Sequence, residues 1–139
     1  MGTWAPDPFG NDAACDWKYT VEESTGLEII EETLDRVLSA GSDYLEAPDA
    51  DEGIAAADTV ARLRGHFYER NSYTESLDAW IARQTIEVPQ EMVERAIQVV
   101  DRVLIEPSEL LELWQESGSD EWEAQMEALK ERLRLPPIK

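Results

Sequence analysis

The single histidine of the chain, His66, is followed three residues later by Glu69, which gives an H-x-x-E pattern. Imidazole and carboxylate groups both bind zinc, but a zinc site needs three or four ligands. The chain offers no second histidine, and its one cysteine is distant in the sequence. We therefore expect no metal and no cofactor, and interpret His66 as a loop residue that follows a helix-terminating glycine.

Four carboxylates stand close together in the segment EIIEETLD: Glu28, Glu31, Glu32 and Asp35. Such a cluster can bind divalent cations, and two carboxylates can act as a general acid and base. These positions alternate with apolar residues at helical spacing, which predicts that they form the solvent face of an amphipathic helix. Exposed carboxylates are ionised at neutral pH and do not serve as general acids. We therefore interpret the four as candidate recognition residues.

Nucleophilic groups lack the neighbours that catalysis needs. Cys15 has no nearby base in the sequence, and we expect it to be a small buried side chain. Serine-nucleophile, P-loop and dinucleotide-binding motifs are absent. The sequence therefore predicts no enzyme class. The alternative is an enzyme that uses Asp12, Asp16 and His66, which requires the fold to bring these groups into one pocket.

The elements that must position these residues are helical. Apolar residues recur at spacings of three and four along most of the chain, which predicts a compact all-α fold of six or seven helices. Asn11 or Gly10 is the expected cap of the first helix, whose buried stripe is Ala14, Trp17 and Val21. A second helix is expected over residues 25–40. Its apolar face consists of Leu27, Ile30, Leu34, Val37 and Leu38.

A loop with the sequence APDADEG is expected before a third helix at residues 51–64. The alanines at positions 55–57 predict close packing against a neighbour. A short helix is expected around Trp80. Pro89 is the expected first residue of the helix with the widest apolar arc, which predicts the centre of the fold. The residues of this arc are Val93, Ala96, Ile97, Val100, Val103 and Leu104.

Two further helices are expected near the C-terminus. The first follows Pro107 and places Leu110, Leu113 and Trp114 on one side. Ser119 is the expected cap of the last helix, whose stripe is Trp122, Met126, Leu129 and Leu133. No linker or repeat divides the chain. We expect one domain over residues 1–139, with an extended arm at 1–10 and a helical body at 11–135.

The formal net charge is -19, from 31 acidic and 12 basic residues. Residues 1–60 hold 15 acids and 2 bases (net -13), and residues 61–139 hold 16 acids and 10 bases (net -6). Direct binding to nucleic acid is disfavoured, because phosphate contacts require a basic surface. The acidic front half favours a basic protein partner, whose association it would accelerate. The alternative is a solvated acidic coat that reflects adaptation to salt.

The chain shows no charged start followed by an apolar run, so no signal peptide is predicted. No stretch reaches the roughly 18 apolar residues that a membrane helix requires. A single cysteine fits a reducing compartment. We therefore expect a cytoplasmic protein that does not associate with membranes.

The N-terminal segment MGTWAPDPFGNDAACDW contains an MGTW start and an F-x-N-D-x-A-x-D-W motif. With the stretches AAADTVARLRG, LDAWI and ELLELWQESGSDEWEAQMEALKERL, it resembles the uncharacterised microbial family known as domain of unknown function 4259. The resemblance covers most of the chain, although the usual glycine after the tryptophan is Ala5 here. It implies a single small domain, in a family without an established activity or catalytic residue.

We interpret Trp4 and Phe9 as anchors of the arm, Asn11 and Asp12 as capping residues, and Trp17 as part of the core. The alternative is that the arm and its acids, including Asp16, form a recognition surface. The leading prediction is a non-enzymatic interaction protein whose acidic face binds a basic partner. An immunity or inhibitor protein that neutralises a toxin or nuclease is one such protein.

Overall fold

The predicted all-α fold is confirmed. The computed structural model describes residues 8–67, 74–85, 87–118 and 120–137. In these ranges the chain forms seven helices and no strand. The helices are α1 (Asp12–Glu22), α2 (Glu28–Leu38), α3 (Ala47–Leu63), α4 (Glu75–Ala82), α5 (Gln90–Val103), α6 (Glu109–Ser117) and α7 (Asp120–Arg134).

The start of α1 follows the sequence prediction. Asn11 is the N-cap, and its side-chain oxygen accepts a hydrogen bond from the Ala14 N–H at 2.7 Å. This bond satisfies one of the free N–H groups at the helix start. Phe9 is 1% exposed and lies in the core with Trp17, which confirms that the aromatic residues of the motif fasten this segment. Trp4 and most of the predicted arm lie outside the described residues.

The centre of the fold is α3, which corrects the prediction that the helix after Pro89 would lie there. The helix α3 packs against each of the other six described helices. Its residues 53–62 are all buried, and they include the predicted alanine run. Small side chains let neighbours approach on every side, whereas α5 keeps one face of exposed polar residues. The helix with the widest apolar arc is therefore a neighbour of the central helix.

The segment APDADEG is the beginning of α3 and not a loop. Pro48 lies in the first turn, where a missing N–H costs no helical hydrogen bond. The Ala47 N–H donates to Glu109 Oε1 at 2.8 Å, so the cap comes from α6. Because Glu109 is distant in the sequence, no residue pattern near Ala47 indicates that a helix begins there. Pro89 also differs from the prediction, because it precedes α5 as an extended N-cap residue.

The C-terminal helices follow the prediction in part. All four residues of the predicted α7 stripe are buried. In α6 the buried residues are Leu110 and Leu111, while Leu113 and Trp114 are only partly buried. Trp114 stacks on Trp122, with ring centroids 6.0 Å apart. The predicted cap Ser119 lies outside the described residues.

Gly53 lies where α3 contacts both α2 and α5. A Cβ atom at this position would stand 2.5 Å from Val37 Cγ2 and 3.1 Å from Val99 Cγ1. Contacts this short require the valine side chains to shift, and both valines are fully buried. The glycine therefore sets the spacing of three helices at one point.

A buried ionic network joins α3 to α4 and α7. Asp58 is completely buried, and Arg62 Nε donates to its Oδ2 at 2.6 Å. Arg62 Nη1 donates to Asp78 Oδ1 on α4 at 2.8 Å, and Arg132 on α7 donates to Asp58 Oδ1. Burial alone would lower the pKa of Arg62, but the Asp58 and Asp78 carboxylates raise it above its ordinary value. We refer to Asp58, Arg62, Asp78 and Arg132 as the buried ionic network.

We predict that Gly53→Ala destabilises the protein. Overpacking a close helix contact costs about 1–3 kcal/mol, which exceeds the gain of roughly 1 kcal/mol that alanine brings to a helix interior. Urea unfolding measures the difference. Val37→Ala removes the nearest methyl groups, so it should cost less in the Gly53→Ala background than in the wild type. Equal costs in the two backgrounds would show that this contact does not limit the packing.

We predict that Arg62→Met lowers the free energy of unfolding by about 3–5 kcal/mol, because it leaves buried carboxylate charge without its main partner. Urea unfolding again gives the value. The control is Arg134→Met, which breaks a pair with Glu131 whose two side chains are 49% and 71% exposed. Exposed pairs contribute little, so the control should leave the unfolding midpoint almost unchanged. A similar effect of both variants would contradict the role assigned to the buried network.

Candidate functional site

An open groove of about 430 Å³ runs between α1 and α2 and reaches the first half of α3. It brings together three of the predicted site residues, Asp16, Trp17 and Glu32. The remaining lining residues are Thr20, Ile29, Thr33, Arg36 and Glu52. We call this feature the acidic groove. Thr33, Arg36 and Glu52 were not predicted from the sequence, since Thr33 lines the groove through the packing of α1 against α2, and Arg36 meets Glu52 through the packing of α2 against α3.

Trp17 and Thr33 hold the two walls of the acidic groove together. Trp17 Nε1 donates to Thr33 Oγ1 at 2.8 Å, and Thr33 Oγ1 donates to the Ile29 carbonyl at 2.7 Å. Trp17 is 6% exposed, which confirms its prediction as a core residue. The base of the groove is therefore fixed by packing and hydrogen bonds before any ligand arrives.

The charge of the acidic groove is negative. Asp16, Glu32 and Glu52 contribute three carboxylates, and Arg36 Nη1 pairs with Glu52 Oε1 at 2.7 Å. Asp16 and Glu32 are exposed and form no ion pair with any described residue. Two carboxylates thus remain to attract a cation from solution.

The predicted cluster on α2 divides between three environments. Glu32 faces the acidic groove, whereas Glu31 and Asp35 lie 3.6 and 3.7 Å from Arg95 of α5. Arg95 has a raised pKa, first because of its hydrogen bond with Glu91 and also because of these carboxylates. Glu28 is exposed at the start of α2. The four residues are solvent-facing as predicted, but they do not form a single site.

Of the three residues of the enzyme alternative, only Asp16 lines the acidic groove. Asp12 is exposed in the first turn of α1, and neither it nor His66 lines the acidic groove that contains Asp16. His66 Nε2 lies 2.6 Å from the Pro136 carbonyl oxygen near the C-terminus. Glu69 lies outside the described residues. Among the residues that the structure describes, no group of three histidine, cysteine, aspartate or glutamate side chains could hold a metal ion.

Cys15 differs from its prediction as a buried side chain. It is only partly buried, and its Sγ lies 3.5 Å from the Phe9 carbonyl oxygen. The thiol therefore contacts the segment that leads into α1.

The surface is more acidic than the composition alone suggests. In the described part of the chain, twenty aspartates and glutamates are exposed, but only three arginines are. Two of these, Arg36 and Arg134, already pair with a glutamate. Other basic side chains lie in the interior of the protein. The buried ones are Lys18, Arg62, Arg64 and Arg102.

The buried cations hold structure together. Arg64 Nη1 donates to the carbonyls of Leu133 and Leu135, both at 2.7 Å, and so fixes the end of α7 to the end of α3. Lys18 Nζ donates to Ser76 Oγ on α4 at 3.2 Å and lies 3.8 Å from Glu22 Oε2. A cation engaged in this way is not available to pair with the acids on the surface. The acids outside are therefore largely uncompensated.

The comparisons with known proteins give one match. The family described as a domain of unknown function (DUF4259) matches residues 2–125. Neither the comparison with curated proteins nor that with solved structures gives a match. Among the described residues, none of the helices combines the length and hydropathy that a membrane span requires. The match covers most of the chain, and the chain therefore belongs to the DUF4259 family.

Proposed function

We propose that this chain is a non-enzymatic protein that binds a basic protein partner through its acidic surface. The observation that carries the proposal is the division of charge between the interior and the surface. Cations are used in the interior, while twenty carboxylates of the described residues stay exposed. A surface with one sign of charge attracts a partner of the other sign and speeds its association.

The acidic groove is the proposed point of contact for a cationic side chain of the partner. Asp16 and Glu32 flank a base that Trp17 and Thr33 already hold in place. A guanidinium or ammonium group that enters the groove meets carboxylates without first breaking an internal pair of those two residues. The helices that carry these two carboxylates are already held together, which lowers the entropy cost of binding.

Inhibition of a toxin or nuclease is the specific form of this function that we favour. An enzyme that acts on nucleic acid needs a basic surface to hold phosphates. An acidic protein that covers this surface competes directly with the substrate. The same charge disfavours direct binding of nucleic acid by the present chain.

We predict that neutralising the acidic groove weakens the binding of a hexa-arginine peptide. The double variant Asp16→Asn/Glu32→Gln should lower the affinity by about fivefold at low salt, because two exposed ion pairs of about 0.5 kcal/mol each are lost. The control Glu116→Gln/Glu121→Gln removes the same charge from exposed positions on α6 and α7. Isothermal titration calorimetry compares the two. Equal losses would mean that the groove has no special part in binding.

We also predict that the affinity for hexa-arginine falls by at least about tenfold between 50 mM and 500 mM KCl, because salt screens exposed charges. The same titration at several salt concentrations gives the slope. An affinity that does not change with salt would contradict the electrostatic basis of the proposal. If hexa-arginine fails to bind at low salt and the melting temperature rises steeply up to molar KCl, the acidic coat is an adaptation to salt instead.

A further inference from the structure

Two loops at one end of the helical bundle lie side by side. Residues 39–46 lead from α2 into α3, and residues 104–108 connect α5 to α6. A bridge joins them, since the Leu45 N–H donates to the Pro107 carbonyl at 3.2 Å and the Glu109 N–H donates to the Leu45 carbonyl at 2.9 Å. We call residues 39–46 and 104–108 the loop pair.

Arg102 holds the loop pair in place from the interior. Its side chain is buried and donates to four loop carbonyls, those of Gly41, Asp43, Ile105 and Pro107, at 2.9, 2.7, 3.2 and 2.9 Å. Nearly all of its N–H donors are engaged in this way. Loops that are already ordered lose little conformational entropy when they bind a partner.

The loop pair exposes two large apolar side chains. Ile105 is 57% exposed and Tyr44 is 50% exposed, and they are two of the four large hydrophobic residues exposed in the described part of the chain. Tyr44 Oη donates to Glu112 Oε1 at 3.1 Å, which orients the ring. Aromatic side chains with a fixed orientation are common anchors at protein interfaces.

Carboxylates of the loop pair and of α6 lie close to Tyr44. Partial desolvation and then the hydrogen bond and charge of Glu112 raise the pKa of Tyr44, and the charges of Glu109 and Glu106 act in the same direction. Asp43 is also exposed on the loop pair. Residues 37–61 and 103–119 contain no lysine or arginine. Arg102 is buried beneath the loops. Neither these two segments nor Arg102 therefore places a cation on the surface around Tyr44.

We infer that the loop pair is a docking site for a basic protein segment that carries an apolar side chain between arginines or lysines. The apolar side chain packs on Tyr44 and Ile105, and the flanking cations pair with the surrounding carboxylates. Charge complementarity selects this occupant, because a second copy of the chain would bring its own acids against the same acids. The inference rests on the proposed function, since it names a second contact of the basic partner in addition to the acidic groove.

Two synthetic peptides test the inference. The peptide Arg-Arg-Leu-Trp-Arg-Arg carries apolar residues between arginines, and Arg-Arg-Gly-Gly-Arg-Arg is its control with the same charge. We expect the first to bind about fivefold more tightly, because burial of apolar surface adds to the ionic contacts. In 15N NMR titrations it should shift the backbone amides of residues 41–46 and 104–109.

Matched variants assign the preference to particular side chains. Tyr44→Ser/Ile105→Ser should bring the two peptides within about twofold of each other, because the apolar anchor is lost. Tyr19→Ser/Leu135→Ser is the control, since it removes a tyrosine and an aliphatic residue that are 56% and 47% exposed elsewhere. The control should keep the full preference. Circular dichroism confirms that all variants fold.

The outcomes separate the docking site from the proposed function. If both peptides bind the wild type equally, or if the control variant loses the preference as well, basic segments bind but the loop pair is not their anchor. If neither peptide binds at low salt, the proposed function fails and the docking site with it. A wild-type dimer that Tyr44→Ser/Ile105→Ser dissociates in sedimentation equilibrium would also overturn the inference, because the occupant would then be a second copy.

Discussion

The structure depends on one completely buried carboxylate, Asp58, at the centre of a helix that contacts every other described helix. An unpaired charge at this depth would cost several kcal/mol, so the fold must bring cations to it. Arg62 comes from the next turn of the same helix, and Arg132 comes from α7. Packing α7 against α3 therefore brings Asp58 its second cation. The network then extends through Arg62 to Asp78 and fixes α4.

This constraint also shapes the surface. A chain with 12 basic residues has few to spare, and the interior engages several of them through carboxylates or backbone carbonyls. Arg102 and Arg64 hold loop and helix ends, while Arg62 and Arg132 serve Asp58. Among the described residues, the surface therefore has many exposed acids and few exposed basic side chains to offset their charge. The packing of the interior and the proposed binding of a basic partner thus depend on the same division of charge.

Much of the fold could be predicted from local patterns, whereas the contacts between helices could not. The cap at Asn11 and the α7 stripe depend on neighbours three or four residues away, and both are confirmed. The start of α3 was missed because its cap, Glu109, is distant in the sequence. The acidic groove itself was not predicted: Asp16 and Trp17 stood out in the motif and Glu32 in the carboxylate cluster, but Arg36 and Glu52 join them only through tertiary packing. The widest apolar arc did not identify the central helix, because alanine and glycine allow close approach on all sides of α3.

The central claim is that, among the described residues, several cations are held inside and the charges exposed at the surface are mostly acidic. Paramagnetic relaxation of backbone amides by a cationic and an anionic nitroxide cosolute measures the electrostatic potential near each residue directly. The account predicts that the cationic cosolute causes the larger relaxation across α1, α2 and the loops beside Tyr44, and also over the surface above Arg62 and Arg102. If the anionic cosolute instead causes the larger relaxation at described residues around these arginines, their positive charge dominates the surface there. That result would contradict the account.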